Sequence, residues 1–171
     1  MAIPAPILAE CWACGAFGCD NPQSLVSTVM LHLQSSFGTR SRAELWNMTN
    51  SNVVLGPLRD DAVPQYLTFH ERIAKNRRGL KGQGAREVNP KMYPDDSRPE
   101  RCGVHAFMLY QSKKPLAASI PEYKLWVNCK NQSKDWKDIA VWYSTQHMGT
   151  ENIGKIIYGK KQSIGVDIKL S

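Results

Sequence analysis

Between Asp20 and Gly38 the chain carries a helix with both of its ends marked. Asn21 stands where an N-cap would, Pro22 falls at the first helical position, and Leu25, Val26, Val29, Met30, Leu33 and Phe37 recur with the spacing of one helix face. Gly38 supplies the stop. This predicts a helix over 22–36 and obliges the fold to cover a long apolar stripe.

The other elements are shorter. Residues 41–48 read as a second helix with Arg42 and Glu44 outward and Leu45 and Trp46 inward, and 53–55 as a short strand. Residues 66–69 have the β-branched and aromatic content of a strand, and 86–92 can pair with them, which makes 75–84 a hairpin loop. A helix follows over 100–113, with Cys102, Ala106, Phe107 and Tyr110 buried, weakened by Gly103 and closed by Pro115. Residues 125–127 and 141–143 look extended, and 150 to about 160 reads as a last helix with Ile153, Ile156 and Ile157 inward. Without internal repeats or low-complexity tracts, the expectation is one α+β domain over 1–171.

Composition allows a real core, with 42% hydrophobic and 22% charged residues. No window approaches the roughly 18 to 20 apolar residues of a membrane span. The apolar start, 2–16, is broken by Pro4, Pro6, Glu10 and Gly15 and has no basic leader, so a soluble intracellular chain without membrane partners is expected.

The formal charge of +7 is segregated: the first 39 residues hold only Glu10 and Asp20, and all 22 Lys and Arg lie from Arg40 onward, a split of −2 against +9. The peak is 72–91, where Arg72, Lys75, Arg77, Arg78, Lys81, Arg86 and Lys91 face Glu87 alone, +6 in 20 residues. Such a run suits a polyanion, because each cation that neutralises a phosphate releases a counterion. A solvated loop or a nuclear-import signal fits the same residues.

Five cysteines without a leader point to reduced thiols rather than a disulfide framework. Cys11, Cys14 and Cys19 open a zinc-knuckle spacing, yet the fourth ligand's position is Ser24, so no metal is assigned. A redox role for Cys11 and Cys14 would need a strand before them and a helix starting there. Gly79, Gly82 and Gly84 lack the Lys-Ser/Thr ending of a phosphate loop, and His32, His70, His105 and His147 lack i, i+4 partners for zinc, so no cofactor is assigned. What remains is guanidinium at a helix start, Arg40 and Arg42, followed by a strand and a basic hairpin: a set able to clamp phosphodiester oxygens.

The order of these features resembles the catalytic domain of Crypton-type tyrosine recombinases, and the domesticated form of that domain at the C-terminus of MYM-type zinc-finger and glutamine-rich transcription-associated proteins. The residues that carry the resemblance are Gly15-Ala-Phe-Gly18, Asn21-Pro-Gln-Ser-Leu25, Phe37-Gly-Thr-Arg40-Ser-Arg42-Ala-Glu44, Tyr66-Leu67, Glu71-Arg72, Lys75 and Arg77 to Gly79. Arg101-Cys-Gly-Val104 to Tyr110, Ser112-Lys-Lys-Pro115, Trp142-Tyr-Ser144 and Met148-Gly-Thr150 to Ile157 continue it, so it runs from about residue 8 to the C-terminus.

In active members a Tyr attacks the scissile phosphate, two Arg and a His stabilise the phosphorane, and a hairpin Lys acts on the leaving oxygen. The resemblance implies that Arg40 matches the first Arg and Lys75 the hairpin Lys. Two departures follow. The acidic residue three places after the first Arg is Ala43, with Glu44 one place later. No His-x-x-Arg exists, since the residues three after the four histidines are Ser35, Ile73, Met108 and Thr150, and no Tyr follows Tyr158, which is read as structural.

The resemblance thus implies a mainly helical tyrosine-recombinase-like domain with a small antiparallel sheet, C-terminally truncated and not an enzyme. Its DNA-backbone contacts would be Arg40, Arg42, Arg72, Lys75, Arg77, Arg78, Lys81 and Arg86, in a nuclear, transposon-derived or transcription-linked protein with nuclear protein partners. Two alternatives stay open: a protein-interaction scaffold without DNA binding, and a fragment of an active recombinase whose remaining catalytic residues lie beyond 171.

Overall fold

A computed structural model of the chain describes residues 4–39, 41–60, 62, 64–70, 89–131 and 135–162. Among them are five helices and two small antiparallel sheets, an α+β arrangement. The helices are α1 (Ala5–Ala13), α2 (Pro22–Phe37), α3 (Arg42–Asn47), α4 (Gly103–Ser112) and α5 (Thr150–Gln162). The strands are β1 (Val53–Leu55), β2 (Leu67–Phe69), β3 (Lys91–Met92), β4 (Val127–Cys129) and β5 (Tyr143–His147).

Helix α2 forms where its caps place it. The Asn21 Oδ1 accepts the Ser24 N–H at 2.9 Å, and Gly38, in the left-handed conformation at φ +69°, donates its N–H to Gln34 O at 3.0 Å. Leu25, Val26, Val29, Met30 and Leu33 are buried and Phe37 partly so, while Ser24, Ser27 and Thr28 are buried on a second face. Two of these hydroxyls are satisfied locally: Ser27 Oγ donates to Gln23 O at 2.7 Å, and Thr28 Oγ1 donates to Ser24 O and accepts the Gly18 N–H, each at 2.8 Å. Helix α2 packs on α4, α5 and β3, and α3 packs on α5.

Sheet one is ordered β1-β2-β3, with Val53 opposite Phe69, Leu55 opposite Leu67 and Leu67 opposite Met92. Sheet two is the β4–β5 pair, with Val127 opposite His147 and Cys129 opposite Tyr143, and an irregularity between. One core joins both: Leu25, Met30 and Leu33 of α2 meet Phe107 and Tyr110 of α4, Trp126, Tyr143 and Ile153. The Tyr110 hydroxyl donates to Leu125 O at 2.8 Å and accepts the Val127 N–H at 3.2 Å, while Tyr143 donates to Pro22 O at 2.8 Å. Burial raises the pKa of both phenols, so each stays a neutral donor.

Several expectations shift. Helix α1 replaces what reads as a proline-broken start, because Pro6 sits in the first turn, where its missing N–H costs nothing. Cys11 is therefore buried in the last turn of a helix, and Cys14 lies exposed at its cap, the reverse of the redox arrangement. Helix α4 begins at Gly103 rather than at residue 100, because Pro99–Arg101 forms a 3-10 turn and Cys102 is extended. It ends at Ser112, ahead of Pro115.

Residues 125–127 and 141–143 are the approaches to strands that run later, since Leu125 and Trp126 plug the core while β5 continues through exposed Thr145, Gln146 and His147. Ile153 is fully buried and Ile156 partly so; the side chains of Ile157 and Tyr158, and the hairpin loop 75–84, lie outside the described residues.

Gly103 is a packing requirement. A Cβ there would stand 2.7 Å from His32 Cγ and 2.8 Å from Met92 Sδ, and the ring cannot recede because α4 sits on α2. Gly103→Ala is expected to cost about 1–3 kcal/mol by overpacking, measured by denaturant unfolding.

Lys114 is buried, with its Nζ donating to Asn50 Oδ1 at 2.7 Å and Leu125 O at 3.1 Å. Burial lowers its pKa from the ordinary 10.5 to about 7. Between those values the unfolded chain holds the extra proton, so this site's contribution to stability rises with pH from about 7 to 10.5, and below 7 the cost of the buried ammonium is present in full. In Lys114→Met, Asn50 Oδ1 keeps Gln111 Nε2 and Leu125 O keeps Tyr110 as donors. Unfolding measured across that window should rise less steeply in Lys114→Met than in the parent; parallel curves would contradict the shift.

Candidate nucleic-acid interface

Arg42 opens α3, a helix held by a capping box: Ser41 Oγ accepts the Glu44 N–H and Glu44 Oε2 accepts the Ser41 N–H, each at 3.1 Å. That box occupies the acid that falls one place beyond the recombinase position. Leu45 is fully buried and fixes the helix, while Arg42 is exposed and lies along α5, with Cδ 2.8 Å and Nη1 3.0 Å from where a Gly154 Cβ would be. On the inner side, Lys124 Nζ sits 3.8 Å over the Trp46 ring and donates to Trp46 O at 2.9 Å.

The remaining expected contacts, Arg40, Arg72, Lys75, Arg77, Arg78, Lys81 and Arg86, lie outside the described residues. Their described flanks come together. Phe37, at the end of α2, stacks on Phe69, at the end of β2, with ring centroids 5.2 Å apart and planes 15° from parallel. Phe69 N–H donates to Pro90 O at 3.0 Å, so the chain enters the basic stretch from β2 and re-enters the sheet beside it. Asn52 clamps the exit: its O accepts the His70 N–H and its Nδ2 donates to His70 O, both at 2.8 Å. Lys91, at the far end of the stretch, lies 4.3 Å over the Tyr66 ring.

A second cationic surface had no signature in the sequence. Lys130, following β4, and Lys155, on α5, line an open concavity of about 740 Å³ between the β4–β5 pair and α5. Lysines so far apart in sequence form no linear cluster; only the fold brings them to one concavity.

Two further titratable side chains are held in their neutral forms. Burial lowers the pKa of His32 against one bond to the Arg101 backbone, so it is a neutral core imidazole. Burial pushes the Cys129 thiol up to about 11, away from a thiolate. Among the described residues, no three His, Cys, Asp or Glu side chains gather as a metal site, and no helix is long and apolar enough to cross a membrane.

Fold and surface define a small α+β domain whose strongest positive charge is strung between two paired strands. Residues 8–158 match the family described as Domain of unknown function (DUF3504), and the chain belongs to that family. It is similar to the Uncharacterized protein KIAA1958 homolog of Mus musculus and to Uncharacterized protein KIAA1958 of Homo sapiens, each 24% identical over 153 residues. The match covers 86% of this chain and 20% of each relative, so the chain spans about a fifth of their length. No solved structure matches.

The Arg42–Gly154 contact can be tested. Gly154→Ala gains about 1 kcal/mol of helix propensity but displaces a flexible side chain. Thermal unfolding should stay within about 1 kcal/mol of the parent, while the Arg42 Nε–Hε resonance moves; an unmoved resonance would show that Arg42 does not lie along α5.

Proposed function

We propose that this chain is a catalytically incomplete tyrosine-recombinase-like domain that binds the phosphate backbone of DNA, acting as a module in a nuclear, transposon-derived or transcription-linked protein. The observation that carries the reading is the Phe37–Phe69 stack, which brings the end of α2, ahead of Arg40, against the end of β2, ahead of the basic stretch. The independent sequence argument, +6 over 72–91, supports it. As in the recombinase pattern, Arg40 and Lys75 are the remnants of a catalytic set; these 171 residues hold no His-x-x-Arg, so by themselves they are not expected to cleave a strand, because such residues act as a unit.

A scaffold reading draws on the β1 side, where Val54, Leu55 and Leu58 are exposed at 44%, 41% and 62%. Backbone binding is the stronger reading because seven cations are concentrated in 20 residues with Glu87 alone among them. The test is duplex binding by fluorescence anisotropy across a salt series. Affinity should fall linearly in log–log form, and Lys75→Glu/Arg77→Glu/Arg78→Glu should weaken it about 10- to 100-fold at low salt. No binding at low salt would favour the scaffold, and a covalent protein–DNA adduct would overturn the loss of cleavage.

A further inference from the structure

We propose that the concavity between the β4–β5 pair and α5 is a second nucleic-acid contact, which holds a backbone phosphate between Lys130 and Lys155 and meets the sugar or base edge with side-chain amides. It rests on the DNA-binding reading and adds a site that the basic stretch does not contain.

The lining carries the argument. Lys130 and Lys155 face an opening of about 740 Å³ whose described lining holds no Asp or Glu. Asn128, Asn131, Gln146 and Asn152 stand around them. Amides both donate and accept, which suits phosphate oxygens, sugar hydroxyls and base edges alike. An acidic peptide could use the same ammonium and amide groups; nucleic acid is the favoured occupant because α5 joins this groove to Arg42, extending one basic surface along the helix.

The frame is rigid where it needs to be. Lys130 N–H donates to Trp142 O at 2.9 Å, Ser144 Oγ donates to Asn128 O at 3.3 Å and accepts the Gln146 N–H at 3.2 Å, and buried Met148 forms the floor.

Helix α5 joins this groove to the Arg42 surface. Gly154 meets Arg42 on one flank, and Lys155, about 100° further round the helix, lines the groove on the next. A strand crossing α5 could thus contact Arg42 and Lys155 in succession.

The experiment measures duplex affinity and its salt dependence for the 171-residue chain, for Lys130→Gln/Lys155→Gln, for the triple reversal at 75, 77 and 78, and for Lys137→Gln as a charge control outside the groove. Circular dichroism should show all of them folded. The groove variant is expected to lose about 10-fold in affinity at low salt and to reduce the log–log slope by about 1 to 2, beyond the effect of Lys137→Gln. Combined with the triple reversal, the losses should multiply, as for separate contacts. If the parent binds and the triple reversal weakens it while the groove variant matches Lys137→Gln, the groove proposal fails and the DNA reading stands. If the parent binds no duplex, both fail. Poly-glutamate binding that depends on Lys130 and Lys155, with duplex binding independent of them, would reassign the groove to an acidic protein and overturn the proposal.

Discussion

Helix α2 has to be covered on more than one face, and the way it is covered sets the positions of nearly everything else. Its leucines, valines and methionine take α4 on one side, while Ser24, Ser27 and Thr28 face a side where backbone approaches closely. Unsatisfied, those buried hydroxyls would each cost on the order of 1–3 kcal/mol. Thr28 resolves this by receiving the Gly18 loop, and Tyr143 reaches Pro22 from β5, so segments before and far beyond α2 are tied to one helix. Helix α4 is in turn tied to β4 through the Tyr110 hydroxyl. Helix α2 thus seats the Gly18 loop through Thr28 and the second sheet through the Pro22 carbonyl.

The ends of α2 are legible in sequence because Asn21, Pro22 and Gly38 act through backbone geometry local to each. The same holds for α3, whose Ser41–Glu44 spacing is a capping box, and for α5. Legibility fails where the deciding contact is distant in the chain. Gly103 reads as a helix weakener, yet it is the first residue of α4 and is there to admit His32 of α2. Pro4 and Pro6 read as breakers, yet they sit at a helix start. The β4–β5 strands are set by where Leu125 and Trp126 must be buried, which no alternation within 141–147 reveals.

The candidate site divides along the same line. A charge run is a one-dimensional feature, so 72–91 stands out at once, and the structure adds where its flanks are held. Lys130 and Lys155 share one concavity only because the fold puts the β4–β5 pair and α5 on its two sides. Arg42 is intermediate: its outward side is readable from helix periodicity, but its course along Gly154 is not. Arg42, Lys130 and Lys155 thus come from three separate stretches of chain to lie around α5 and the β4–β5 pair.

The Asn52 clamp on His70 and the Phe69–Pro90 bond have an evolutionary consequence. They hold the two ends of the basic stretch at neighbouring strands, a separation of about 5 Å. With the ends pinned, doubling the length of chain between them costs only about 0.6 kcal/mol of closure entropy. Insertions and deletions there leave the paired strands and the core behind them untouched. The length and charge of this stretch can therefore change at little cost to the domain that carries it.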